Sequence, residues 1–116
     1  MRVLVVEDSS VLREMLTTRL KQAGLLVDSV GTKGDADSVL KNATYAAIVL
    51  DLGLPDGDGH QLMKHLNQMF GLRGIAMTGY GMEEDLERYR ASGFVAHLTK
   101  PVRIETLDAL LREVLG

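Results

Sequence analysis

The chain has no cysteine and no tryptophan, only two prolines, and aromatic residues at 4% of its 116 positions. Without cysteine there is neither a disulfide framework nor a thiolate metal centre, so the fold has to rest on a packed apolar core. That usage suits a reducing compartment, and the location expected for the chain is cytoplasmic. Apolar runs are short: none approaches the roughly 20 residues of a membrane helix. The N-terminal Met1-Arg2-Val3-Leu4-Val5-Val6-Glu7-Asp8 ends in acids and reads as a strand, not as a signal peptide. A basic excess is also missing. Thirteen Lys and Arg against 16 Asp and Glu give a net charge of -3 and a pI near 5.5, which argues against direct binding to a phosphate backbone. What is present is ordinary for a globular protein: 46% hydrophobic and 25% charged residues, enough for one compact domain over 1–116 and too little for a second.

The most informative stretch runs from Tyr45 to Gly59. Ala46-Ala47-Ile48-Val49-Leu50 is apolar without alternation, ends in Asp51, and is followed by the turn-forming Pro55-Asp56-Gly57-Asp58-Gly59. Such a run, bounded by turn residues, predicts a strand buried on both faces, as in a parallel sheet covered by helices. Asp51 then stands at the carboxyl end of its strand, where open α/β sheets bind ligands.

The rest of the chain repeats the same alternation. Val3–Val6 is a first strand, after which Val11, Leu12, Met15, Leu16 and Leu20 fall on one helical face, with Ser9 or Ser10 as N-cap and Gly24 as stop. Leu25–Val30 is a weaker strand. Beyond a turn at Gly31 and Gly34, the residues Ala36, Val39, Leu40 and Ala43 mark a short amphipathic helix. Leu62, Met63, Leu66, Met69 and Phe70 mark a third helix ending near Gly71, with the methionines as core filler. Ile75–Met77 is a fourth strand. The acidic run Glu83-Glu84-Asp85 suits the positive end of the next helix, in which Met82, Leu86 and Tyr89 face inward and which Gly93 ends. Phe94–Thr99 is the fifth strand, and Ile104, Leu107, Leu110, Leu111, Val114 and Leu115 supply the last helix. Five βα units predict an α/β fold: a doubly wound parallel five-stranded sheet with helices on both faces.

Four of the five strands end in polar residues: Glu7-Asp8, Asp51, Thr78 and Lys100. In a parallel sheet these ends share one edge, so carboxylates, a hydroxyl and an ammonium converge although they are far apart in sequence. The chemistry they suit is phosphoryl transfer to a carboxylate. Clustered acids need a neutralising cation, and an oxygen-only donor set suits a hard ion, Mg²⁺ or Mn²⁺ in its place, with Asp8 and Asp51 as direct ligands. Asp51 is then the nucleophile, while Lys100 and Thr78 meet the phosphoryl oxygens.

At these residues the chain resembles the receiver domain of two-component response regulators, over essentially its whole length. Glu7-Asp8 matches the family's acidic pair, Asp51 its phosphoacceptor, Leu54-Pro55-Asp56-Gly57-Asp58-Gly59 its loop, Thr78 its switch hydroxyl and Lys100-Pro101 its lysine-proline. The resemblance implies a flavodoxin-like fold with strand order 2-1-3-4-5 and a cis Lys100-Pro101 peptide. It implies Mg²⁺ on Asp8, Asp51 and the Gly53 carbonyl, with Glu7 one layer out. It also implies a histidine kinase or phosphotransfer protein as donor, and self-association or effector contact through the face of the fourth and fifth βα units. The domain itself then touches neither nucleic acid nor membrane, and assists its own phosphorylation rather than acting as an enzyme on other substrates. The wording Gly53–Gly59, Thr78–Asp85 and Ala96–Val102 resembles most the receivers of hybrid sensor histidine kinases. A free-standing regulator is the alternative.

One departure stands out. The second switch position, three before the lysine, is commonly Tyr or Phe and here is His97, so an aromatic rotamer mechanism does not transfer directly. His97 is expected to be a packed, hydrogen-bonded strand residue, and His60 and His65 surface helix residues. The resemblance further implies that Tyr80 and Gly53, each two residues past a site residue, border the phosphoryl position. Asp56 and Asp58 serve turn and cap roles. An aspartyl-phosphate phosphatase normally needs a second Asp two residues after the nucleophile, where this chain has Gly53. A dinucleotide-binding module needs a phosphate loop where this chain has Glu7-Asp8.

Overall fold

The computed structural model describes residues 1–53, 59–79 and 86–115, Leu86 by its backbone alone. Strands β1 (Arg2–Val6), β2 (Leu26–Val30), β3 (Ala47–Asp51), β4 (Arg73–Thr78) and β5 (Phe94–Thr99) alternate with helices α1 (Ser10–Gln22), α2 (Lys33–Leu40), α3 (Gly59–Phe70), α4 (Leu86–Ser92) and α5 (Ile104–Leu115). Every strand pairing is parallel and the order is β2-β1-β3-β4-β5, the doubly wound arrangement expected from five βα units. The Lys100-Pro101 peptide is cis.

Residue parity divides the sheet into two faces. Leu4, Val6, Ile48, Leu50, Ala76 and Phe94 pack with Ala36 of α2, Leu62, Met63 and Leu66 of α3 and Tyr89 of α4. Val3, Val5, Val49, Ile75, Met77 and Leu98 pack with Leu16 and Leu20 of α1 and Leu107 and Leu111 of α5. Both faces being covered is why the β3 run reads as continuous rather than alternating: Ala47, Ile48, Val49 and Leu50 are each fully buried. The fifth strand changes parity through an irregularity opposite Gly74 and Ile75. Ala96 and Leu98 consequently share the α1/α5 face although Phe94 lies on the other.

Local signals fix the element ends. Ser9 caps α1, its hydroxyl accepting from the Leu12 N–H at 3.3 Å, and Gly24 follows the helix at a φ of +92°, a conformation that favours glycine. Thr32 caps α2 in the same way, accepting from the Asp35 N–H at 3.1 Å. This cap corrects the turn expected at Gly31 and Gly34: the helix starts at Lys33 and takes in Gly34. It also ends at Leu40, short of Ala43. Val11 (78% exposed), Met15, Met69 and Phe70 are exposed, contrary to the inward faces read for them. The core-facing stripe of α1 is the narrower set Leu12, Leu16, Leu20 at four-residue spacing, with Leu12 half-buried, and Met69 and Phe70 occupy the last turn of α3. Among the described residues no helix is long and apolar enough to cross a membrane.

Candidate functional site at the carboxyl ends of the strands

The acidic residues gather where the strands end. Glu7 continues the parity of Val3 and Val5, and Asp51 that of Val49, so both lean toward the α1/α5 face. Glu7 is fully buried and Asp51 only 2% exposed, whereas Asp8 is exposed. Each of the three offers a carboxylate oxygen, and those oxygens lie within 4.8 Å of one another, the one such cluster among the described residues. Such all-oxygen donors, two of them buried, fit a hard divalent cation and do not fit a soft one.

Lys100 closes the cluster from β5. Its ammonium is 2.5 Å from Glu7 Oε1 and 3.2 Å from Asp51 Oδ2. The first contact is an ion pair without hydrogen-bond alignment, which leaves Glu7 Oε1 a buried oxygen with no aligned donor. Glu7 Oε2 accepts from the Ser9 N–H at 3.3 Å. Asp51 Oδ1 accepts from the Gly53 N–H at 2.8 Å, so each Asp51 oxygen has its own donor.

Electrostatics separate the two buried acids. Burial, above all, and then the neighbouring Asp51 and Asp8 carboxylates push Glu7 up to about 7, against the pull of Lys100. Burial pushes Asp51 up as well. There the hydrogen bonds from Glu7, Gly53 and Lys100 outweigh it and hold the carboxyl below its usual range. Lys100 loses hydration on burial, yet its contacts with Glu7 and Asp51 raise it further above its ordinary value. The resting site is thus an ionised Asp51 beside an ammonium, with Glu7 holding a proton at the edge of neutral pH.

The two switch positions lie on the neighbouring strands β4 and β5. Thr78 is 2% exposed at the end of β4, and its hydroxyl donates to the Leu98 carbonyl at 3.4 Å. It carries the parity of Ala76, toward the α3/α4 face. His97 pairs with Ala76 in the sheet and meets the Tyr89 ring at a centroid distance of 5.4 Å, the packed strand histidine expected. Gly53 stands beside Asp51 as the motif implies. Asp56, Asp58, Tyr80, Met82 and the Glu83-Glu84-Asp85 run lie outside the described residues, as do Leu54, Pro55, Gly57 and Gly81 of the matched motifs.

Arg13 and His60 make contacts that the sequence does not lead one to expect. Arg13 reaches from α1 to donate to the Glu7 carbonyl at 2.8 Å, and its guanidinium fills the space a Cβ on Gly31 would need. No pattern announces that contact; an Arg four residues past a helix cap is usually solvated. His60, expected at the surface, is only partly exposed: it stacks on Tyr89 with ring centroids 5.4 Å apart and lies 2.9 Å from Ser92 Oγ. Its position next to the helix-opening Gly59 was the available signal. His65 is exposed as expected.

Residues 3–112 match the family described as the response regulator receiver domain. The transcriptional regulatory protein BasR of Escherichia coli (strain K12) is 34% identical over 99% of this chain and 52% of its own length. The chain thus spans about half the length of such curated relatives. A CheY-like receiver domain protein from Methanospirillum hungatei JF-1 superposes with a TM-score of 0.90 at 26% identity, over 98% of this chain and 92% of that one. A sensor protein from Polaromonas sp. JS666 does so with a TM-score of 0.87 at 26% identity, over 98% and 94%. With a family match over nearly the whole chain and the flavodoxin-like, CheY-type fold carrying an acid cluster at its strand tips, this chain belongs to the response regulator receiver domain family.

Proposed function

We propose that this receiver domain accepts a phosphoryl group on Asp51 from a phosphohistidine of a histidine kinase or phosphotransfer protein. The observation that carries this reading is the state of Asp51: buried, yet held ionised, with one oxygen fixed by the Gly53 N–H and the other facing Lys100. A carboxylate so held is a nucleophile that needs no base. An Asp51 oxygen forms the new bond to phosphorus as the donor's N–P bond breaks, and the electron pair leaves with the imidazole nitrogen, which then takes a proton. Lys100 stabilises the charge that spreads over the phosphoryl oxygens.

Asp8, Asp51 and the Gly53 carbonyl would hold Mg²⁺, or Mn²⁺ in its place, with Glu7 supporting them from the buried side. The ion, when bound, neutralises the carboxylates and the incoming phosphoryl group. Membership in the receiver family and the oxygen-only cluster both support this ligand set. Thr78 then leaves the Leu98 carbonyl for a phosphoryl oxygen, and the loss of that tie between β4 and β5 biases the fourth and fifth βα units, whose shared face contacts a partner or a second copy.

As an isolated domain the chain acts on its own aspartate and is no enzyme toward other substrates. It works in the cytoplasm and touches neither nucleic acid nor membrane itself. The loop wording favours a hybrid histidine kinase as the parent, and a solved neighbour is described as a sensor protein; the relation to the transcriptional regulatory protein BasR supports a transcriptional regulator instead. The sequence of the full-length gene separates the two. The phosphatase alternative lacks its acid/base, since Gly53 offers only a backbone two residues past Asp51.

The acceptor is tested by Mg²⁺-dependent labelling with a small phosphodonor such as acetyl phosphate. Wild-type protein should take up one acid-stable, base-labile phosphoryl group, and Asp51→Asn should fold and take up none. A label that persists in that variant removes Asp51 as acceptor.

A further inference from the structure

We propose that His60 gives this chain a second mechanical link between the acceptor end of β3 and α4, one that bypasses Thr78. The proposal rests on the phosphoacceptor reading for what drives the link, while the link itself rests on geometry.

The route begins beside Asp51. Leu52 follows it in sequence and packs on the first residue of α3 so closely that a Cβ on Gly59 would come within 2.6 Å of Leu52 Cδ2 and 3.4 Å of its Cα. Any displacement of the Asp51–Gly53 segment therefore presses on the start of α3, where there is no room for a side chain on Gly59. His60 is the next residue. From there one imidazole engages α4 twice, through a hydrogen bond to Ser92 and a stack on Tyr89 with 12° between the ring planes.

The direction of the hydrogen bond follows from proton count. The Ser92 hydroxyl has one proton, which it donates to the Arg88 carbonyl at 2.8 Å. It must then accept from His60, so Nδ1 carries the hydrogen. Neutral and cationic imidazole both bear a hydrogen there in this arrangement, and the contact survives a change of ring charge.

The ring cluster leaves little room for His60 to move alone. Its ring meets Phe94 edge-on at 5.8 Å, Tyr89 meets Phe94 at 6.3 Å, and Tyr89 also meets His97. Tyr89 and Phe94 are 5% and 2% exposed, and close-packed rings of this kind shift together or not at all. Asn67, seven residues beyond His60 and on the same helical face, packs beneath Gly93, where a Cβ would come within 2.7 Å of Asn67 Cβ. Consecutive residues at the end of α4 thus rest on one stripe of α3.

The test follows amide exchange in α4 before and after Mg²⁺-dependent labelling. In Thr78→Val the label-dependent change over Leu86–Ser92 should remain, reduced about two- to threefold; in Thr78→Val/His60→Ala it should vanish. His60→Gln, which keeps an N–H near Ser92 and serves if the alanine variant folds poorly, should restore part of it. Loss of the whole change in Thr78→Val alone, or its persistence in the double variant, overturns the link. A second arm needs no phosphoryl group: in unlabelled protein His60→Ala should shift the Gly53 amide resonance and speed α4 exchange roughly tenfold. If the Gly53 resonance stays in place, the link is absent even where Asp51 labels normally. If that arm succeeds while wild-type protein takes no label, the phosphoacceptor reading fails and the link stands.

Discussion

The Lys100 ammonium lies closer to Glu7 than to Asp51, 2.5 Å from Oε1 of the first and 3.2 Å from Oδ2 of the second. The cation is thus shared between the two buried acids, and its pull favours the charged form of both. Glu7 is nonetheless the costly member of the resting site, a buried carboxyl whose ionisation Asp51 opposes.

Glu7→Gln should therefore stabilise the metal-free protein at pH 8. The amide keeps a donor toward Asp51 and removes a buried negative charge, worth on the order of 1–2 kcal/mol. The same change should weaken Mg²⁺ binding about tenfold, because the ion loses a nearby charge. Urea unfolding with and without Mg²⁺ reads both effects, and a variant less stable than wild type in the absence of metal would contradict the assignment.

The pH dependence follows with its sign. Glu7 binds its proton more tightly folded, up to about 7, than unfolded, at its ordinary 4.5. Between those values the native state holds more protons, so metal-free stability should fall as pH rises from 4.5 to 7, by ~3 kcal/mol. Asp51 works the other way: its carboxyl is held below the ordinary 3.8, and its contribution is lost only as pH falls beneath that value. Metal-free unfolding scans should show this decline in wild type and not in Glu7→Gln.

Thr78→Val removes the hydroxyl that donates to the Leu98 carbonyl and should cost about 1 kcal/mol. Labelling of Asp51 should become slower but persist, while the change in β5 amide exchange that accompanies labelling shrinks. Equal β5 responses in variant and wild type would separate Thr78 from the switch.

Gly74→Ala tests the packing beneath the site. A Cβ there overlaps Met63 Sδ and comes within 2.9 Å of Phe94 Cδ1, both fully or nearly fully buried. Overpacking of this kind costs typically 1–3 kcal/mol, and the variant should melt several degrees lower. Met63→Ala should recover part of the loss when combined with it.

Much of this was legible beforehand because parallel sheets write themselves plainly. The uninterrupted run Ala47 to Leu50 is buried on both sides, and that requires helices on both sides. The strand-end residues Glu7, Asp8, Asp51 and Lys100 were legible as one site because every strand points the same way. What stayed hidden was decided by distance across the fold. Val11 and Met15 are apolar at helical spacing, and only the width of the groove over β1 decides that Leu12, Leu16 and Leu20 use it while they do not. His60 looks like any polar residue opening a helix until α4 is laid over it. Thr32 outcompeted Gly34 because a hydroxyl that satisfies a free N–H starts a helix more firmly than a glycine stops one.

The parity of the strands has one more consequence. Glu7, Asp51 and Lys100 lean to the α1/α5 side of the sheet, while Thr78, His97 and Tyr89 lie on the α3/α4 side. If Asp51 is the acceptor proposed above, Thr78 can answer a phosphoryl group there only around the tips of the strands, so the response would cross the sheet at its edge and not through its packed core.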